Sequence, residues 1–280
     1  MKTHTRKVTR KARKVTRKAR KVARKAHLTV SKAYPTVSMP DGSTYTIAHG
    51  LLSNKNAKIE KTNDLLGDDY YTTGLSLAPA HTSGYEVCQG ASEGCRKACL
   101  FTAGQGRFEN VQQARIAKTR LFFLQRETFK GLLFADIRRA QKTARKRNLK
   151  LAIRLNVLSD LPWERIFPDL FTTFADVQFY DYTKVAGRQV PSNYHLTFSR
   201  SESNQALAER ELANGRNITV VFRSKTLPAT WLGAPVVSGD THDLRFLDGS
   251  GNVVGLYAKG RALTDRSGFV VDHVEPLVAR

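Results

Sequence analysis

The 280-residue chain is 41% apolar and 25% charged, ordinary values for a folded protein large enough to bury a sizeable core. No apolar run approaches the roughly 20 residues that a membrane-spanning helix needs, and the charged N-terminus lacks the apolar core of a secretory signal. These features exclude an integral membrane protein and predict a protein of a reducing cytoplasm. The formal charge of +22 is uneven: residues 1–27 hold 13 of the 46 Lys/Arg and none of the 24 Asp/Glu.

That first segment is a heptad repeat: RKVTRKA at 6–12, again at 13–19, and RKVARKA at 20–26. Like-charge repulsion along it predicts a tail that is disordered alone. Its cations, Arg6, Lys7, Arg10, Lys11, Arg13, Lys14, Arg17, Lys18, Arg20, Lys21, Arg24 and Lys25, suit sequence-blind binding to nucleic acid or another polyanion through counterion release. It has no aromatic residue on which bases could stack.

Residues 28–70 read as a linker and hairpin. Val30, Val37, Tyr45 and Ile47 are strand-like around the turn MPDGST, and the polar stretch 53–64 reads as a loop. From residue 71 to 280 an α/β domain is expected. TTGLSLAP predicts a buried strand that runs into a cysteine loop at 81–107. Helical periodicity follows over 109–128 and 130–147, then a strand at 151–158 and a helix near 163–175. Further strands are expected at 177–183, 194–199 and 218–224, with a helix at 203–214 capped by Ser203. PVVSGD and NVVGLYAKG complete the series. Strand–helix alternation of this kind points to parallel βα units, hence a partial or open (β/α) barrel of about six strands. An open doubly wound sheet is the alternative. Neither G-x-G-x-x-G nor a P-loop lysine motif follows any of these strands.

The three cysteines of the chain, Cys88, Cys95 and Cys99, fall within twelve residues of the loop after the first strand. Thiolates clustered in a Gly-rich loop suit a metal or an iron–sulfur cluster, and three ligands leave one coordination position open for chemistry. Two other readings stand beside this: a structural zinc completed by His81, and one disulfide with a spare thiol. In either α/β arrangement, function collects at the C-terminal ends of the strands. There the sequence places Asn156, Ser159, Asp160, Asp181, Lys184, Ser199, Arg223, Asp240, His242 and Asp243. Asp160, Asp181, Asp240 and His242 are candidate acid–base groups. Asn156, Ser199 and Arg223 are candidates for holding a cofactor by hydrogen bonds and charge.

The run SLAPAHTSGYEVCQGASEGCRKACLFTAGQGRFENVQQAR resembles the signature of the phage gene product 88 family. LLSNKNAKIEK upstream, and RLNVLSDLPWE, FYDYTK and SGDTHDLRFLD downstream, extend the resemblance over roughly residues 50–265. It implies a phage-encoded protein working in the host cytoplasm and implies no particular reaction. More distantly, the placement of the cysteines is similar to that in radical S-adenosylmethionine enzymes. Those enzymes hold a four-iron cluster on three cysteines after the first strand of a partial barrel. That resemblance implies a 4Fe-4S cluster on Cys88, Cys95 and Cys99, with S-adenosylmethionine on the open iron. The spacing here is C-x6-C-x3-C, against C-x3-C-x2-C in those enzymes, and Ala98 stands where they carry an aromatic residue.

Overall fold

The computed structural model describes residues 34–272. The basic repeat, with its candidate nucleic-acid contacts, and Val30 lie outside the described residues. The hairpin is present: β1 (Thr36–Ser38) and β2 (Thr44–Thr46) pair antiparallel with Val37 opposite Tyr45. Val37, Met39 and Ile47 are buried beside it.

The main compact unit starts at Thr36. Two elements ahead of residue 71 belong to it. A short strand β3 (Leu52–Ser53) pairs antiparallel with β4 (Tyr70–Leu75). The stretch read as a polar loop folds as a helix, α1 (Ala57–Leu66). Local capping and tertiary burial override its polar composition. The Asn56 side chain accepts from the Lys58 amide, Ile59 and Thr62 are buried, and Thr62 Oγ1 in turn accepts from the Asp243 amide.

The cysteine segment follows β4 and contains one short helix, α2 (Glu93–Lys97). Two long helices come next, α3 (Glu109–Leu124) and α4 (Arg126–Lys146). The break falls at Gln125 rather than near residue 129, and the Gln125 side chain donates to the Thr36 carbonyl. The expected helix near 163–175 is two pieces, α5 (Trp163–Ile166) and α6 (Pro168–Thr173). They divide at Phe167 because Pro168 lacks an N–H and biases the residue before it away from helix. The helix expected at 203–214 is α7 (Gln205–Ala213), and Asn204 rather than Ser203 is its first flanking residue. The Asn204 side chain accepts from the Ser201 amide and donates to the Ser199 carbonyl.

The parallel strands are β4, β5 (Lys150–Arg154), β6 (Gln178–Thr183), β7 (Tyr194–Ser199), β8 (Ile218–Phe222), β10 (Ala234–Ser238) and β11 (Val253–Tyr257). The first five lie side by side in chain order, then β11 joins β8 and β10 joins β11. Winding that continues in one direction is barrel-like, whereas a doubly wound sheet reverses. Among the described residues the sheet does not close. β3 ends one edge, and β9 (Thr230–Trp231), antiparallel to β10, ends the other. The protein is therefore α/β with a partial, open barrel.

One irregularity positions the site. β7 pairs only with the start of β8, through Phe198–Ile218 and Ser199–Thr219. Beyond that point a two-residue strand, β12 (Val270–Val271), pairs with Val221 and Phe222 of β8. The sheet thus splits between β7 and β8 at its C-terminal end, and the loop leading to β12 fills the split. The largest apolar cluster packs α3 and α4 on the β3–β7 half, where Phe122 meets Trp163 edge-on with ring centroids 5.4 Å apart.

Candidate functional site

A cleft of about 1930 Å³ opens at the C-terminal ends of the parallel strands. Cys88, Cys95 and Cys99 line it together with Asn156, Asp160, Ser199 and Asp240. Seven residues separated by up to 152 positions in sequence thus meet at one surface.

The cysteine loop is held by polar braces rather than by its own secondary structure. Glu86 accepts from the Cys88 amide at 2.5 Å and pairs with Arg96 at 3.0 Å. Arg96 donates back to the carbonyls of Cys88 and Ala91. Ser92 caps α2 by accepting from the Cys95 amide. Glu202, in the loop after β7, clamps the same turn: it accepts from the Gly94 amide and from Ser92 Oγ, both at 2.8 Å. Gly94 has no room for a side chain, since a Cβ there would lie 2.2 Å from Ser267 Oγ and 2.8 Å from Phe269 Cβ. The loop that fills the sheet split therefore also presses on the cysteine helix.

The three thiols are free and half-buried. The Ala80 amide points at Cys88 Sγ at 3.4 Å, from a residue held at φ +50°, a left-handed conformation unusual for alanine. Burial pushes the Cys88 thiol up to about 12, against that amide, with the neighbouring Cys99 and Cys95 pushing the same way. Burial also raises Cys99, opposed by the Phe101 amide and by the charges of Arg115 and Lys184. Without a metal these two groups are protonated thiols, so any metal must displace their protons. The donor types fit an iron–sulfur cluster: three sulfurs, N–H groups aimed at two of them, and cations beside one. Among the described residues no group of three or more His, Cys, Asp or Glu is arranged to hold a metal ion. His81 is exposed and pairs with Glu86 at 3.0 Å, and it is not among the residues lining the cleft.

The strand-end candidates divide into two groups. Asp160 accepts from the Lys184 amide at 2.7 Å and from Arg188 at 3.3 Å. Ser199 Oγ accepts from Lys184 Nζ at 2.7 Å. Asp240 accepts from the Tyr257 amide and pairs with Lys259. Each of these reaches the cleft. Asn156 reaches it too, but its side chain is committed inward, accepting from Ser159, the Leu161 amide and Trp163 Nε1 while donating to Asp181.

Asp181, His242 and Arg223 do not line the cleft. Asp181 is fully buried and takes donors from the Asn156 amide, Asn156 Nδ2 and Tyr194. Burial outweighs those donors and the nearby Arg154 and Arg188, and lifts its carboxyl to about 7. His242 Nδ1 accepts from the Leu244 amide, and burial and then Arg245 depress its pKa. Arg223 is a staple for the loop before β12, donating to the carbonyls of Leu263 and Asp265 and pairing with Asp272.

Several cleft residues escape the strand-end rule. Lys58 on α1 and Arg154 at the end of β5 both pair at 2.9 Å with the fully buried Asp243, and both stand over the Tyr182 ring. Arg115 and Lys118 enter from α3. Their signal in the sequence is that they interrupt the apolar stripe of Val111, Ala114 and Ala117. In all, eleven Lys/Arg line the cleft against two carboxylates, Asp160 and Asp240.

A family model described as gene product 88 matches residues 50–273, four-fifths of the chain. The chain belongs to the gene product 88 family of phage proteins. No curated protein and no solved structure matches it. These comparisons give no support to the expected link with radical S-adenosylmethionine enzymes. No described helix is long and apolar enough to cross a membrane.

Proposed function

We propose that this gene product 88 protein is an iron–sulfur protein of the host cytoplasm, in which Cys88, Cys95 and Cys99 hold a 4Fe-4S cluster at the head of the cleft. One observation carries the reading: all three thiols, none in a disulfide, line one cleft at the ends of the parallel strands. Amides and cations beside the sulfurs offset part of the burial that keeps Cys88 and Cys99 protonated. Three protein ligands leave one iron free. Such a cluster, with S-adenosylmethionine, would supply one-electron chemistry there.

This chain's own residues then have distinct tasks. Lys184 and Ser199 form a donor pair for a ligand carboxylate. Asp160 and Asp240 are the two carboxylates that can move a proton at the cleft surface. Asp181 and Asn156 lock the β5 and β6 ends beneath it. The basic repeat at 1–27 holds the protein on nucleic acid, supported by its 13 cations without a carboxylate.

The test is metal analysis of anaerobically prepared full-length protein, with Cys88, Cys95 and Cys99 all changed to alanine as the control. The expected result is about four irons per chain and absorbance near about 400 nm, both lost in the control. Stoichiometric zinc without iron would overturn the cluster and favour a structural zinc site in a non-enzymatic nucleic-acid-binding protein.

A further inference from the structure

Arg115 and Lys118 stand one turn apart on the face of α3 that walls the cleft. Arg115 is only 9% exposed and donates to the Phe101 carbonyl at 3.1 Å. Lys118 donates to the Leu51 carbonyl at 2.8 Å. Among the described residues neither has a carboxylate at ion-pair distance. Asp136, the nearest acidic influence on Lys118, is already committed to the amides of Leu51 and Leu52 and to Arg139. Burial pulls Lys118 down to about 8, and Arg115 adds to that pull.

Two like charges a turn apart, one buried and one half-buried and neither paired with a carboxylate, are unfavourable in an isolated protein. Their backbone seats are nevertheless shaped with care. At Gly106 a Cβ would lie 2.1 Å from the Phe101 carbonyl oxygen and 2.8 Å from Arg115 Nη1, so only glycine leaves room for that carbonyl to hold the guanidinium. An arriving anion would relieve the repulsion. The surrounding excess of cations over carboxylates extends the same field along the cleft. At about 1930 Å³ the cleft exceeds the roughly 300–1,000 Å³ typical of small-ligand pockets.

We propose that Arg115 and Lys118 anchor an anion subsite for a phosphate-bearing ligand of the nucleotide class. The subsite does not depend on a cluster being present, and it is separate from the basic repeat. Arg115 supplies a planar fork for phosphate oxygens, and Lys118 a point charge beside it.

The experiment reads Lys118 itself in the full-length protein. Lysine acylation is followed by mass spectrometry at about pH 8, near the value to which burial lowers Lys118. ADP and a short oligothymidylate are the probes, alongside a binding titration of each. Protection of Lys118 by both probes assigns a mononucleotide site, and protection by the oligonucleotide alone assigns a strand-binding site. Either outcome supports the proposal. Arg115→Gln and Lys118→Met should each weaken binding of the protecting probe about tenfold, the usual size of a lost charge-assisted hydrogen bond. Unchanged acylation with both probes overturns it. Oligonucleotide bound only by the basic repeat would give that result. The acylation arm uses the unaltered protein, so a variant that fails to fold does not remove the test.

Discussion

Around the cysteines burial wins: Cys88 is driven up to about 12, and Cys99 also rises although the charges of Arg115 and Lys184 oppose it. Around Asp243, beneath the same cleft, burial is more complete and yet loses. Desolvation favours the neutral carboxyl there, yet Arg154 and Lys58 hold it down at about 2, and in return Asp243 raises Lys58 above its ordinary value. The two regions teach that depth alone does not set protonation in this protein. A buried group is ionised where the fold delivers a partner and neutral where it does not. The thiol side accordingly keeps its protons, while the Asp243 side is a finished ionic joint between α1, β5 and the loop after β10.

The strongest way to break this contrast is to remove the joint. Asp243→Asn leaves Lys58 and Arg154 as buried cations without their counterion, and it should cost about 3–5 kcal/mol in denaturant unfolding. A loss under about 1 kcal/mol would mean that the pair is solvated in solution and the contrast is false. Next in size is the brace on the thiol side. Glu202→Gln keeps the shape but weakens the acceptor for Gly94 N–H and Ser92 Oγ–H, and should cost about 1–2 kcal/mol. It should also lower iron loading in anaerobic reconstitution, whereas Asp243→Asn, if folded, should load as the unaltered protein does.

A third buried carboxyl sharpens the rule. Asp181 is raised to about 7 because burial exceeds the help of Arg154 and its three donors. A folded pKa above the unfolded one means that the native state holds the extra proton between about pH 4 and 7. Stability should therefore fall as pH rises through that window, by up to about 1.4 kcal/mol per unit, and level off above it. Asp181→Asn should flatten that part of the profile in pH-dependent thermal unfolding. An unchanged slope would show Asp181 ionised throughout and supported by its donors.

Much of the architecture was legible in the chain. The strands at 194–199 and 218–224 and the βα rhythm follow from period and from spacing, both local properties. The helix at 57–66 was not legible, because its polar face satisfies partners distant in sequence, such as the Asp243 amide on Thr62. Of the candidate site residues, the cysteines, Asp160, Ser199 and Asp240 share the cleft with Asn156, as the strand-end rule expects. Asp181, His242 and Arg223 obey the same rule by position yet serve the interior or a neighbouring loop. A strand end gives a residue's height, and its neighbours decide which way it is used. Arg115 and Lys118 were hidden because a helix was read for its apolar stripe, and cations within that stripe carry no label of their own.

The sequence by itself determined the family, the parallel α/β class and the gathering of thiols in one loop, since these depend on residue types at short range. Only the tertiary structure decided the barrel-like strand order, the split that admits β12, and the charge state of each buried group. Those depend on which distant partners arrive: Glu202 at Gly94, Lys58 and Arg154 at Asp243, and no carboxylate at Arg115 and Lys118 among the described residues. Electrostatic energies in a poorly solvated interior change steeply over a few ångströms, a length that sequence separation does not record.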